Sequence, residues 1–578
     1  MMQTHQRLWI ILPCFIALLA VTITCAPAGS LVLLCLCCMA LLWKIKIKNR
    51  SILSLLAQYV TVKAVGWLGS RQRNRLESDT RDIHRVQEET LLQRLQKHSD
   101  TVYGKHYAFR SIKDTETFQQ QHPVTDYNHY EKFVERVAKG EQNVLISEKP
   151  LILAMTSGTS GSSRMLLSTK DTNTEFFLQG VTICLDAMRH TFPATDCLQK
   201  TLKLFYSPIF RQSEAGIPIG PNSSTPASSK HMLHLYTTPA PVYQERWKDL
   251  VVDVEVGMIN SNLSLKADVR RALEKLMKPD PERAAELTAQ FEEGFERIAL
   301  RIWPQLHLVL TVDSGSNQIY GEMLRRQYCK DIPFYSPFYA ATEGLIGVNL
   351  WPQQESRQYL LCPRSMFCEF IPEEDLDSER PKTLLMEQLQ EGHNYELLVT
   401  NASGLFRYRI GDVVKVVGFH NQCPKVEFQY RRGQMLSVRG EKVSESLFLG
   451  ALKKAVTQWP GARLIDYSCV ESGILGSASG IAQPHYLVFV ELKGVRNLSE
   501  EQRYKLDHCL QEDSDIYRSF RMKGSIGPMR VQLVREGTFQ ELKDRMMAFS
   551  SASSNNFKMQ RVIRSREFAD FLLQRAFS

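Results

Sequence analysis

Residues 156–167 read TSGTSGSSRMLL, and the rest of the chain is arranged around them. Ahead of them, Pro150–Met155 is a short apolar run, the mark of a buried strand. After them, Met165-Leu166-Leu167 is apolar and β-compatible. Between lie Ser157, Gly158, Thr159, Ser160, Gly161, Ser162 and Ser163. Glycine lets a ligand approach the backbone closely, and consecutive amides and hydroxyls form an anion-binding nest. Arg164 adds a positive charge at the exit. This composition suits the phosphates of a nucleotide; a flexible Ser/Gly turn is the simpler alternative. No Gly-Lys-Ser/Thr follows at the required spacing, so the loop is not a Walker loop.

Outward from this hairpin the pattern repeats. Leu306–Val312 reads as a continuous apolar strand, followed by the small-residue loop Asp313–Ser316. Helical periodicity marks 82–98, 115–121, 127–139 and 171–190. Asp280 and Pro281 suit the cap and first turn of a charged, solvent-facing helix over 280–300. Ser51–Arg75 reads as a surface or juxtamembrane helix, and Gly216–Ser229 as a loop. Strand, small-residue loop and helix alternate, which indicates an α/β fold with ligand groups at strand ends.

At 578 residues the chain is long enough for two or three domains. Hydrophobic content of 43% and charged content of 23% are those of a globular protein. The net charge of +9 sits partly in one cluster, Lys44, Lys46, Lys48 and Arg50. No basic stripe interleaves with aromatics, which argues against a nucleic-acid partner. Of 13 cysteines, five lie in the apolar N-terminus. The others are scattered without a CxxC pair, so reduced thiols are expected rather than disulfides or zinc.

Leu8–Trp43 is almost free of charge, with the apolar runs Leu8–Cys25 and Leu31–Trp43. A bilayer span takes roughly 20 apolar residues. One anchor, a hairpin on one side, and a cleaved signal peptide all fit. Cleavage would leave Leu31–Trp43 as an exposed apolar terminus, which favours an anchor. The Lys/Arg cluster then stays cytoplasmic. The expected location is an endoplasmic-reticulum or nuclear-envelope membrane with a cytosolic body. A lumenal or secreted body is the alternative, and it would give weight to the sequons at Asn49, Asn222, Asn262, Asn401 and Asn497.

Two further stretches carry chemistry. Phe338–Gly344 (FYAATEG) follows the apolar segment Ile332–Tyr335. Thr342 offers a hydroxyl for phosphate and Glu343 a carboxylate for Mg²⁺, which prefers hard oxygen ligands; an exposed turn glutamate is the plainer alternative. Leu405–Val416 reads LFRYRIGDVVKV. Gly411-Asp412 marks a bend, where a carboxylate can accept both ribose hydroxyls or cap its own β-turn.

Taken in order, the three stretches resemble the nucleotide motifs of the acyl-adenylate-forming enzymes. More closely they resemble the Gretchen Hagen three family, the auxin-responsive acyl acid–amido synthetases. The likeness runs from about Asp82 to near the C-terminus. HPVTDY (His122–Tyr127) and RVAKG (Arg136–Gly140) are similar to the segment before its first motif. Thr156–Met165 resembles its phosphate loop, Tyr339–Asn349 its second motif and Tyr408–Phe419 its third. SNNFKMQR (Ser554–Arg561) resembles its C-terminal lysine motif. The apolar N-terminus, which the plant enzymes lack, points to the animal-type branch.

The resemblance implies the acyl-adenylate-forming fold. A large adenylation domain would span 51–432 and a smaller, mobile α+β domain 433–578, behind an apolar segment over 1–50. Ser157, Thr159 and Ser160 would contact the phosphates of ATP, with Gly158, Arg164 and Tyr408 completing the nucleotide site. Thr342 and Glu343 would serve the α-phosphate and Mg²⁺, Glu343 as the metal ligand. Asp412 would hold the ribose. Lys558 would bridge ATP and the carboxylate during adenylation. A small carboxylic acid would become acyl-AMP and pass to an amine, such as an amino acid, or to a thiol. The relatives place a lysine near Arg164-Met165. Arginine keeps the charge but not the shape of an ammonium, so a membrane-anchored pseudoenzyme is the alternative reading.

Overall fold

The computed structural model describes residues 46–47, 50–156, 164–196, 210–222, 247–263, 267–312, 315–354, 356–475, 483–549 and 557–577. The apolar run 8–43 and the loop residues Ser157, Gly158, Thr159 and Ser160 lie outside them. The chain separates into two compact units. One takes residues 1–67, 195–203 and 227–239; the other takes the remainder.

Helix α1 (Ile52–Asp79) is longer than the periodicity predicts. By length and composition it passes as a membrane span, with a stretch of mean hydropathy 1.3. Its charged half does not. Ser70 donates to Asp186 at 2.7 Å, and Arg73 pairs with the same carboxylate at 3.4 Å. A side chain at Gly69 would strike the Thr182 carbonyl. The remaining apolar part, Ile52–Trp67, covers roughly 24 Å at about 1.5 Å per residue, short of a hydrocarbon core of about 30 Å.

Helices α2 (Ile83–His98), α3 (Thr115–Gln121) and α4 (Tyr127–Ala138) follow. Asp114 caps α3 by accepting from the Thr117 amide at 2.7 Å, and Asp126 caps α4 through His129. Their apolar faces (Val86, Leu91 and Leu95; Phe118; Tyr130 and Val134) are buried.

Strands β1 (Ile152–Met155) and β2 (Met165–Ser168) form the expected hairpin around the Ser/Gly loop. With β3 (Arg211–Gln212) and β4 (Pro218–Gly220) they make a four-stranded sheet in which β1 and β4 run parallel. Part of the segment expected to be a loop, 216–229, is therefore a strand. The helix expected over 171–190 is real but carries a π-helical turn at Phe176–Val181. The helix expected over 280–300 ends early: α5 is Pro281–Glu292, capped by Asp280 as predicted. Gly294 and Arg297, both at positive φ, break it before Ile298–Ile302. Its inner face, Ala284, Leu287 and Phe291, is buried rather than solvent-facing. Of the apolar run 306–312, only β5 (Val309–Leu310) pairs, because its partner β6 (Phe334–Tyr335) offers two residues. The short helix α6 (Gln318–Met323) lies between them.

The largest sheet is antiparallel throughout. Its strands are β7 (Phe338–Ala341), β8 (Gly344–Val348), β9 (Tyr359–Leu361), β10 (Phe367–Pro372), β11 (Asn394–Thr400), β12 (Tyr408–His420) and β13 (Cys423–Arg431). Their order across the sheet is β10-β11-β12-β13-β9-β8-β7. Thr342 and Glu343 lie at strand ends as expected, in the turn between β7 and β8, whereas Asp412 lies in a bulge within β12.

A second core follows β13. Helix α7 (Glu445–Thr457) packs with a sheet of β14 (Arg463–Glu471), β15 (Tyr486–Lys493), β16 (Arg530–Leu533) and β17 (Val562–Ile563). Ser444 caps α7.

A buried ion pair ties the N-terminal helices to β12. Arg407, held at φ 47° and 6% exposed, gives its guanidinium to Glu369 at 3.0 Å. It also donates to the carbonyls of Gln119 and His122 at 2.8 and 2.6 Å and to Thr383 at 2.9 Å. Buried charge is stable only when paired and hydrogen-bonded in this way.

Candidate active site

The backbone of Thr156 and Arg164 closes the β1–β2 hairpin. The Thr156 amide donates to the Arg164 carbonyl, and the Arg164 amide to Thr156 Oγ1, both at 2.9 Å. This fixes where the Arg164 side chain starts. Its guanidinium lies over the Tyr127 ring, 5.6 Å from the centroid, and donates to the Tyr408 hydroxyl at 3.3 Å.

Thr342 and Glu343 form the two-residue turn between β7 and β8. Gly344 follows at φ 140°, a conformation that favours glycine. The amide of Asn401 holds the turn by donating to the Glu343 carbonyl at 2.8 Å. Asn401 is thus buried and occupied, which removes it from the candidate glycan acceptors. The Glu343 carboxyl is buried too. Desolvation lifts its pKa above the ordinary carboxylate value, against the pull of Arg431.

Asp412 sits in a bulge, not in a bend that ends a strand. On β12 the three residues Ile410–Asp412 oppose the single Leu397 of β11, and Gly411 turns through φ 86°. The bulge re-aims Asp412, whose side chain is 3% exposed. One oxygen accepts from Tyr339 at 2.8 Å and the other from Arg431 Nε at 2.5 Å. Burial and the Asp412 charge raise the Tyr339 phenol well above its usual value, so it stays protonated as a donor. Tyr408, at the start of the same strand, is likewise held protonated by burial.

Lys558 is 146 residues beyond Asp412 in sequence, yet its ammonium shares an electrostatic environment with Asp412, Arg431 and Glu445. Surrounding protein and the Arg431 charge hold its pKa below the ordinary lysine value, while the two carboxylates act against this. The side chain is nonetheless solvent-exposed, so water screens much of that shift. It is crowded but wet, as expected for a cleft.

Beside Arg431 lies a cavity of about 200 Å³. Arg357, Glu427, Phe428, Tyr430, Arg431 and Glu445 are among its walls.

The described site therefore gathers three cations, Arg164, Arg431 and Lys558, with three carboxylates, Glu343, Asp412 and Glu445. Among the described residues no cluster of three or more His, Cys, Asp or Glu could cage a metal. A single buried Glu343 still fits Mg²⁺, which is commonly held by one or two carboxylates together with substrate phosphates.

Residues 72–245 and 240–334 match the GH3 family N-terminal domain. Residues 359–431 match its central domain and 448–567 its C-terminal domain. The chain belongs to the GH3 (Gretchen Hagen three) family. A GH3 domain-containing protein of Mus musculus is 37% identical over 524 residues, covering 89% of this chain and 92% of its own length. The indole-3-acetic acid-amido synthetase GH3.3 of Arabidopsis thaliana is 25% identical over 564 residues, covering 87% and 93%. The solved structure of the GH3.15 acyl acid amido synthetase superposes with a TM-score of 0.75 at 21% identity. It covers 87% of this chain and 96% of its own. The α/β architecture is thus that of a GH3 acyl acid amido synthetase.

Within this GH3 chain the fold brings Arg164 to Tyr408, and Asp412 to the neighbourhood of Lys558. The Arg431 charge reaches Glu343 as well as Asp412. Thr342 lies beside Glu343 in the turn, and its side chain makes no hydrogen bond among the described residues. Sequence reasoning missed Arg431 and Tyr339 as partners of Asp412. A signal for Arg431 was present: Asp412 lies eight residues before His420 and Arg431 eight after Cys423, and those two residues pair at the hairpin turn. Each strand carries one bulged residue on the way, so the counts cancel and Asp412 faces Arg431.

Proposed function

We propose that this GH3 chain is an ATP-dependent ligase that activates a small carboxylic acid as acyl-AMP and transfers the acyl group to an amine or thiol. The observation that carries this reading is a lysine from the far C-terminus set within electrostatic reach of the bulge-held Asp412. A carboxylate carbon is a poor electrophile until adenylation gives it a leaving group. In the first step a carboxylate oxygen attacks the α-phosphorus and pyrophosphate leaves. In the second the acceptor attacks the acyl carbon, loses its proton, and AMP leaves.

Each residue then has a task. Asp412 accepts the ribose hydroxyls, with Tyr339 and Arg431 keeping it oriented while the site is empty of nucleotide. Arg164 would contact the phosphates, and the family resemblance gives Ser157, Thr159 and Ser160 the same task. Glu343 would hold Mg²⁺, which supplies charge neutralisation on the phosphates. Lys558 places an ammonium where carboxylate and α-phosphate, both anionic, must meet. The amido synthetases among the relatives support an amine acceptor; an amino acid is the simplest one. The name of the Arabidopsis thaliana relative also carries a carboxylic acid, indole-3-acetic acid.

Pyrophosphate exchange into ATP across a panel of carboxylic acids tests the activity. Asp412→Ala should weaken MgATP binding in calorimetry by about 10- to 100-fold, since a charged hydrogen-bonding group is worth about 1.5–3 kcal/mol. Equal affinity would remove Asp412 from the nucleotide site. The pseudoenzyme reading draws on Arg164 and on an Asp412 whose oxygens are already engaged; exchange with no acid in a broad panel would favour it.

The apolar run 8–43 and the basic residues after it support membrane attachment with a cytosolic body. The full chain should then sediment with membranes, and protease added outside sealed vesicles should digest its C-terminus. A protected, glycosylated body would overturn this topology.

A further inference from the structure

Helix α6 precedes β6 and belongs, by the family's own division, to the N-terminal domain. Its side chains nevertheless enter the C-terminal core. Ile319 is buried in that core. Tyr320 donates its hydroxyl to Asp466 Oδ2 of β14 at 2.7 Å. Glu322 pairs with Lys453 of α7 at 2.5 Å.

The other oxygen of Asp466 is taken by Arg561, which is itself buried and also donates to the Tyr467 carbonyl at 2.7 Å. Arg561 stands three residues after Lys558. Its backbone is tied to β14, with the Cys469 amide donating to its carbonyl at 2.8 Å and Ser468 donating to the Gln560 carbonyl at 2.7 Å. Lys558 therefore moves with β14, and among the described residues β14 meets α6 through the Tyr320 hydroxyl on Asp466 and, at its exposed start, through Arg463 on the Met323 sulfur at 3.9 Å.

We propose that Tyr320 is a positioning residue for Lys558: by holding Asp466, it fixes the C-terminal domain at the angle that keeps the ammonium beside Asp412. Tyr320 touches no substrate. It acts through Asp466 and Arg561, and the Glu322–Lys453 pair steadies the same contact. The consequence for turnover rests on the ligase reading above; the consequence for domain angle does not.

The test uses the full chain in four forms: parent, Tyr320→Phe, Lys453→Glu, and the reversed pair Glu322→Lys with Lys453→Glu. Amide hydrogen exchange is followed at 318–323 and at the connection 432–444, and single-turnover acyl-AMP formation is measured at varied ATP. Tyr320→Phe should speed exchange at both segments while the sheet core exchanges as in the parent. It should slow adenylation about tenfold with the KM for ATP unchanged, the factor that one hydrogen bond to a charged group is worth. Lys453→Glu should do the same more weakly, and the reversed pair should restore both readings. Unchanged exchange at 318–323 and 432–444 in Tyr320→Phe overturns the proposal, as does faster exchange throughout the chain. A parent that forms no adenylate with any acid defeats the ligase reading instead, and the exchange data alone then decide the role of Tyr320.

Discussion

Lys558→Ala is expected to cut acyl-adenylate formation by about a hundredfold or more while leaving the fold and ATP affinity nearly unchanged. The magnitude is the usual one for removing a single electrostatic group from a preorganised site. Folding should be spared because the side chain is exposed and makes no hydrogen bond among the described residues. The anchoring of its segment is done by its neighbours: Met559 is buried in an apolar cluster and Arg561 is paired with Asp466. On the ligase reading ATP affinity should be spared, because that reading gives the ribose contact to Asp412 and a phosphate contact to Arg164. The ammonium acts only when a second anion, the carboxylate, approaches the first. Single-turnover acyl-AMP formation at saturating ATP compares parent and mutant. Equal rates exclude Lys558 from adenylation, and a loss of ATP affinity as large as the loss of rate would make it a binding group. Lys558→Arg should recover part of the rate, since charge returns without the compact ammonium geometry.

Acidification should destabilise the chain through His98 and His122, by about 5 kcal/mol between pH 6.5 and pH 4.5 from these two groups together, at about 1.4 kcal/mol per histidine per pH unit. Both are buried, and His98, between a backbone amide and a carbonyl, is bonded in a way that only the neutral ring satisfies. His122 donates from Nδ1 to the Pro123 carbonyl at 2.8 Å and accepts the Tyr103 hydroxyl at Nε2, also at 2.8 Å. His98 accepts the Ser147 amide at Nδ1 and donates from Nε2 to the Ala402 carbonyl at 3.2 Å. Burial lowers His98 to about 4 and His122 to about 3. The sign follows from those values. Above pH 6.5 both rings are neutral whether the chain is folded or not, and the stability is fully present. Below it the unfolded chain takes up protons that the folded chain refuses, so stability falls with pH down towards the folded values. Buried carboxyls such as Glu175 and Glu343, held above their ordinary value by desolvation, act in the opposite direction and flatten the net curve. His122→Gln isolates the ring: in denaturant unfolding from pH 7.5 to 4.5 the slopes should run together above pH 6.5, and below it the mutant's slope should become shallower than the parent's, approaching a difference of about 1.4 kcal/mol per pH unit. Parallel curves would overturn the assignment.

The sequence was most legible where chemistry and local structure coincide. The hairpin around the Ser/Gly loop announces itself by apolar runs on both sides. The cap Asp280 stands where a short polar side chain can take a free amide. The motifs were readable as a family resemblance, in order and with numbers intact. What sequence did not show was produced by distant pairing. Asp412 reads as a turn residue because Gly411 precedes it, and only the register against β11 reveals a bulge. The apolar 306–312 reads as a full strand, but the length of a strand is set by its partner. Arg407 reads as one cation among several in LFRYRI; its burial depends on Glu369, 38 residues away. Tyr320 carries no local signal at all, since its partner Asp466 is 146 residues downstream.

The same long-range stitching sets the order in which the chain is completed during synthesis. Tyr130 donates to the Phe406 carbonyl, 276 residues further on. At about 5–20 residues per second, roughly 15–55 seconds pass between the emergence of the two. Throughout that interval the apolar faces of α2, α3 and α4 have no sheet to cover them. Early folding in this chain is therefore provisional, and the nascent N-terminal helices are natural clients for chaperones until β12 leaves the ribosome.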